Sequence, residues 1–330
     1  VSTYLLKHIW GIFIVVPSLV LGQVKLAQSG AQFLGVESDA RAAALGGAVV
    51  TVEIGSAALC FNPAGMARMA THVDIAASRN QWIAGIVYNA LSAAVPISKG
   101  ELGVIGVSLV SVDYGEIQGT IVWPNDQGYL DTEIMHPTAF SAGIGYARAL
   151  TDKFAVGGQV KYVGLNYGKS IYPDDAGAPD TVKKNLQFAT AFDFGTIYKT
   201  GWKTLAFGMS VRNFSNEIKF EEEGFQLPLT FAIGISMDLF QLWSHHPRSQ
   251  SLLVAVDAAH YRSHAEQLLI GVEYKPLPVF ALRLGYRSGE DEQAFSYGLG
   301  IEKMGLSLDY TYTPFGVWDA VQRISVRFAL

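Results

Sequence analysis

Several things are scarce in this chain, and each shortage removes a class of protein. Cys60 is the single cysteine in 330 residues, so neither an internal disulfide framework nor a thiolate metal cluster can form. Charged residues make up only 16% and the net charge is −5, which leaves no basic footprint for nucleic acid. Beyond the N-terminus no apolar run approaches the roughly 18 residues of a helical span. No Ser/His/Asp arrangement can be read from spacing. Gly143-Ile144-Gly145 and Gly298-Leu299-Gly300 lack the strand-turn-helix setting of a phosphate loop. His260 and His264 fall at a strand end and the turn after it, with no nearby cysteine to complete a four-ligand set. The acidic groups Asp174, Asp175 and Asp180, and Glu221, Glu222 and Glu223, do not match an EF-hand loop and read as solvated charge. The expectation is a protein without metal, cofactor or catalytic cluster.

What remains is apolar and aromatic. Half the residues are hydrophobic, with 34 Gly, 18 Phe, 15 Tyr and 6 Trp, and the mean hydropathy is +0.23. High hydropathy without long apolar runs suits a membrane β-barrel, where alternation spreads the apolar residues. The last ten residues show it: Ile324, Val326, Phe328 and Leu330 alternate with Arg323, Ser325, Arg327 and Ala329. Such a strand needs a partner, and if that partner is the first strand, the sheet closes. About fourteen strand candidates follow this pattern: 73–80, 83–96, 101–112, 138–149, 154–165, 186–199, 204–213, 228–239, 251–262, 266–275, 278–287, 293–302, 303–313 and 321–330. Connections alternate between short turns and long loops at 113–137, 166–185 and 214–227, the habit of outer-membrane barrels with long loops outside. The fold expected is all-β, a transmembrane antiparallel barrel.

The faces assign roles. Lys161, Asp193, Arg212, Asp238, Arg283 and Asp309, with Asp257, Glu273, Glu302 and Arg327, fall on the polar, lumen-facing side. Charges of both signs there read as a salt-bridged interior rather than a conduction path. Trp123, Tyr129, Tyr172, Phe220 and Phe225 place large rings in polar loops, where aromatics favour binding of other proteins.

The N-terminus divides the chain. Residues 1–22 read as a signal peptide: Lys7 and His8 precede an apolar run from Ile9 to Leu21. Residues 23–72 differ from the rest and are expected to plug the lumen of a barrel formed by 73–330. Ser38 or Asp39 can cap a short helix that the pair Gly46 and Gly47 ends. Asn62 and Pro63 set a tight turn within Cys60 to Gly65.

Two of these stretches carry a resemblance. Gly30-Ala31-Gln32-Phe33-Leu34, then Arg41-Ala42-Ala43-Ala44-Leu45-Gly46-Gly47, followed by Asn62-Pro63-Ala64-Gly65-Met66-Ala67, resemble the opening of PorV/PorQ family proteins. The segment Phe192 to Gly201 and that from Leu205 to Phe214 are similar to the family's middle strands. The resemblance implies a FadL-like outer-membrane barrel with an N-terminal plug, its motif residues being Arg41, Gly46, Gly47, Asn62, Pro63 and Gly65. It also implies a non-enzymatic role in type IX secretion. There such barrels bind secreted proteins by a C-terminal signal domain, beside other secretion components and outer-membrane lipid. FadL-type channels share the Asn-Pro-Ala turn, so uptake of small hydrophobic molecules is the alternative.

Overall fold

A computed structural model describes residues 29–172, 181–220, 223–243, 249–289 and 293–330; at 170–172, 181, 182, 220 and 223 the description is of backbone alone. The signal segment 1–22 lies outside the described residues, as do Asp174, Asp175, Asp180, Glu221 and Glu222. The strands, in chain order, are β1 (Asp74–Gln81), β2 (Val87–Pro96), β3 (Val104–Asp113), β4 (Ile117–Val122), β5 (Tyr129–Met135), β6 (Thr138–Ala149), β7 (Phe154–Tyr172), β8 (Thr181–Lys199), β9 (Ala206–Phe214), β10 (Ile218–Phe220), β11 (Glu223–Phe225), β12 (Thr230–Asp238), β13 (Ser251–Tyr261), β14 (Gln267–Leu277), β15 (Phe280–Arg287), β16 (Phe295–Lys303), β17 (Leu306–Phe315) and β18 (Trp318–Ala329).

Fourteen of these strands close on themselves, in the order β1-β2-β3-β6-β7-β8-β9-β12-β13-β14-β15-β16-β17-β18. The seam is antiparallel, from Asp74 opposite Ala329 to Gln81 opposite Gln322. Closure leaves no sheet edge, so wall backbone groups pair within the sheet. Alternation then sets the two faces. Ile233, Ile235, Leu282, Leu284, Tyr297, Leu299 and Ile324 point outward and are exposed, while the intervening Ala232, Ala281, Ser296 and Ser325 are buried. An apolar face turned out and a small, polar face turned in is the arrangement of a barrel in lipid, the reverse of a soluble sandwich.

Several boundaries differ from the sequence reading. β2 begins at Val87, because Trp82 to Gly85 turn at the rim and Trp82 packs inward, edge-on to Tyr88 and Phe315. β7 and β8 run on past the wall to Tyr172 and from Thr181, so the loop expected over 166–185 is mostly a hairpin. The loops expected over 113–137 and 214–227 contain the two-stranded sheets β4–β5 and β10–β11.

The segment ahead of β1 fills the lumen. It enters at the long-loop rim, where Gly30 N–H donates to the Gln226 carbonyl at 3.0 Å. Helix α1 (Ala40–Ala44) follows, capped by the Asp39 side chain accepting from Ala42 N–H. Gly46 and Gly47, at φ 64° and 84°, supply the left-handed backbone that ends it. A 3-10 turn over Pro63–Met66 starts with the Asn62 side chain accepting from Ala64 N–H. The segment leaves at the short-turn rim, where Val73 N–H donates to the Leu330 carbonyl at 3.0 Å.

Candidate functional site

The interior divides into an ionic flank, a stapled bulge and an apolar cluster. On the ionic flank α1 meets β14 to β18. The Arg41 guanidinium donates twice to Glu273, both at 2.8 Å, and Glu273 also accepts from Arg283 at 2.6 Å. Arg283 bridges on to Asp309 at 2.6 Å. Arg327 pairs with Asp74 at 2.6 Å, and the second oxygen of Asp74 accepts from Ser56 N–H. Such buried charges are tolerated because each is paired and hydrogen-bonded. Burial raises the Asp39 carboxyl above its usual range, against the Ala42 N–H that favours the charged form. For Glu37, burial pushes upward too, but Arg287 and Arg323 hold the carboxyl below its usual value.

Across the lumen, the β8–β9 register shifts between Phe192 and Phe194. Asn213 sits in the extra position at φ 61°. Its freed N–H donates to Asp193 at 2.7 Å, and Lys161 closes the group with Asp193 at 2.8 Å and the Asn213 side-chain oxygen at 2.5 Å. Arg212 donates to the Cys60 carbonyl at 3.0 Å and lies over the Phe61 ring. Burial raises the Cys60 thiol above its ordinary value.

The Asn62 turn docks between these flanks. Its side-chain amide donates to the Val50 carbonyl at 2.6 Å and to Thr196 at 3.2 Å. Gly195 faces it so closely that a Cβ there would lie 1.8 Å from the Asn62 oxygen. A Cβ on Gly285 would lie 2.1 Å from Gly46 N. Gly145 and Gly298 likewise make room for Leu59 and Ala44. Pro63 and Gly65 are buried in the same turn, with a Cβ on Gly65 meeting Ala58 at 2.9 Å.

The apolar cluster occupies the long-loop half. Phe33 of the plug packs with Ala31, Tyr88, Val112, Val163, Leu165 and Leu227, rimmed by Trp82, Ile86, Tyr114 and Phe225. An apolar cluster in the lumen of a membrane barrel departs from the water-filled interior of porins.

Lys161, Asp193, Arg283 and Asp309 thus lie inward in buried ion pairs, and Arg212 lies inward against the plug backbone. Asp238 does not belong with them. Strand parity put it on the lumen face, but β12 ends there, and its carboxylate accepts from Phe240 and Leu252 N–H to cap the following turn. Phe225 is not a free loop ring either: it lies against Gly30 and packs on the apolar cluster. Trp123 and Tyr129 stay 42% and 46% exposed on the β4–β5 hairpin. The side chains of Tyr172 and Phe220 lie outside the described residues. Sequence reasoning missed Glu37, Asp74 and Asn213, each at a strand end, a bulge or in the plug, where alternation carries no signal.

No protein-family model and no curated protein matches the sequence. Solved structures do. The toluene transporter TbuX of Ralstonia pickettii matches over 90% of this chain and 99% of its own, at 12% identity and a TM-score of 0.60. The monoaromatic hydrocarbon channel CymD matches over 89% and 98%, at 12% and 0.58. A FadL homologue of Pseudomonas aeruginosa matches over 88% and 98%, at 12% and 0.53. The shared feature is the fold, a FadL-like barrel. Nothing in these likenesses bears on PorV/PorQ membership in particular.

Proposed function

We propose that this chain is an outer-membrane channel that admits small hydrophobic molecules, without catalysing a reaction on them. The observation that carries the reading is the apolar cluster about Phe33 in the long-loop half of the lumen, where the plug packs on the inner wall. A solute with no polar groups that takes the place of Phe33 in this cluster gains free energy, at roughly 25 cal/mol per Å² of apolar surface removed from water. A porin lumen offers it nothing comparable. The whole-length likeness to a toluene transporter and a monoaromatic hydrocarbon channel points to small aromatic hydrocarbons as the first substrates to try.

Secretion cargo binding stands as the second reading. It rests on the plug-motif resemblance and on the β4–β5 hairpin, which exposes Val122, Trp123, Tyr129 and Leu130. The partners in that reading are secreted proteins carrying a C-terminal signal domain and other type IX components.

The test is uptake of radiolabelled toluene by cells expressing the chain, against cells carrying Phe33→Asp or empty vector. The channel reading expects uptake above vector that the Phe33→Asp variant loses. Equal uptake in all three strains overturns it. A surface proteome depleted of proteins with a common C-terminal domain when the gene is removed would support the second reading instead.

A further inference from the structure

Above the wall the β7–β8 extension stands beside the β4–β5 hairpin, and a groove of about 420 Å³ lies between them. Its floor is apolar: Ile134 and Met135 from β5 and Leu186 from β8. Leu186 is 51% exposed and lies two residues from Phe188 on the outer face of the same strand. Phe188 stacks on Tyr162 at 5.5 Å in the lipid-facing belt. The groove therefore opens downward onto the surface that meets acyl chains.

Its upper part is cationic. Lys169 and Lys184 line it with His136, and the two lysines are directly opposite each other in the β7–β8 register. Like charges at opposed cross-strand positions repel and destabilise the pair. Glu133 meets Lys169 at 3.5 Å, but both side chains are nearly half exposed, so the bridge offsets little. Among the described residues no carboxylate pairs with Lys184. An anion seated between the lysines relieves this repulsion, and an acyl chain attached to it covers the floor.

We propose that the groove binds a phosphorylated lipid of the leaflet beside the long-loop rim, its phosphate between Lys169 and Lys184 and an acyl chain along Ile134 and Leu186. This rests on reading the outer wall as facing lipid. It does not depend on what passes through the lumen.

The full chain, reconstituted into phosphatidylcholine liposomes and then extracted into mild detergent, is examined by native mass spectrometry with added diphosphoryl lipid A. The dephosphorylated lipid serves as comparison. The expected result is adducts with the phosphorylated lipid that fall roughly tenfold in K169E/K184E, as loss of paired lysines at an anionic headgroup implies. Adducts should survive in K169R/K184R and in Lys303→Glu at the opposite rim. Heat-modifiable migration on a gel confirms that each variant is folded, and K169Q/K184Q replaces the reversal if it is not. Three results overturn the proposal: adducts unchanged in the double variant, equal binding of the dephosphorylated lipid, or displacement of the lipid by excess inorganic phosphate, which would assign the lysines to the free ion. A chain that fails to enter liposomes overturns the membrane reading itself. One that enters but binds no lipid A overturns the groove alone.

Discussion

Gly195 and Asn62 meet where the plug turns, and no space between them would hold even a methyl group. Gly195→Ala is expected to push the turn out of its seat and cost about 1–3 kcal/mol, the usual range for overpacking. Chemical denaturation in detergent would show it as a lowered midpoint. The ionic flank makes an asymmetric prediction. Arg41→Ala leaves Glu273 still paired with Arg283, whereas Glu273→Ala leaves Arg41 without its carboxylate. The second change should approach the ~3–5 kcal/mol of a broken buried pair, and the first should cost less. Equal midpoints for the two variants would contradict the pairing. Glu37 contributes to the pH response of the plug where it meets the wall. Its carboxyl is held below its unfolded value by Arg287 and Arg323 against the push of burial. Its contribution is therefore present above the unfolded pKa and lost as pH falls through the folded one. Asp39, raised by burial, has the opposite sign: its contribution is present at low pH and lost as pH rises through its folded pKa. Limited proteolysis of the plug should therefore rise more on acidification in the wild type than in Glu37→Gln, whose side chain no longer titrates.

Among the elements, the β4–β5 hairpin is the most separable, because β3 and β6 pair along their full length without it. Replacing Ile117–Met135 by a short linker should leave the unfolding midpoint within about 0.5 kcal/mol of wild type, as for surface changes away from the core. Toluene uptake should persist in that variant, while cargo capture, if that is the function, should vanish. The elements also mark where the sequence was legible. In the wall, Phe231, Ile233 and Ile235 against Ala232, Gly234 and Ser236 carry a clean period of two, because one face meets lipid and the other the plug. That contrast stops at the membrane edge. Past Leu165 and before Leu186, the chain reads Lys169, Lys183 and Lys184, and nothing distinguishes a hairpin in water from a loop. The bulge at Asn213 was equally invisible: it adds one residue to β9, a shift that depends on Asp193 and Lys161 in other strands. Asp238 shows the converse error, where parity was carried one residue too far into a turn.

Taken whole, the molecule is a wall built around a wedge rather than a pore with a lid. Small residues on the inner face and ion pairs on one flank fit the plug, not a water column. The intact protein in a planar bilayer should show no steady porin-like conductance. A variant lacking residues 30–69 should conduct in steps, because removing the plug leaves a charged, glycine-lined lumen. Steady conductance in the intact protein would contradict the packing around Asn62 and Arg41. The outer shape was readable from composition and alternation. The apolar cluster was not, since Phe33, Tyr88, Val112 and Leu227 come from distant stretches that only closure brings together.

The plug is threaded: Gly30 is tied at one rim and Val73 at the other, and every strand of the wall comes later in sequence. β18, which seals the seam against β1, follows all the others. Assembly therefore has an obligatory order. The segment that precedes β1 must already be lying along the axis when the last strand zips shut, because a completed cylinder offers it no way in from the side.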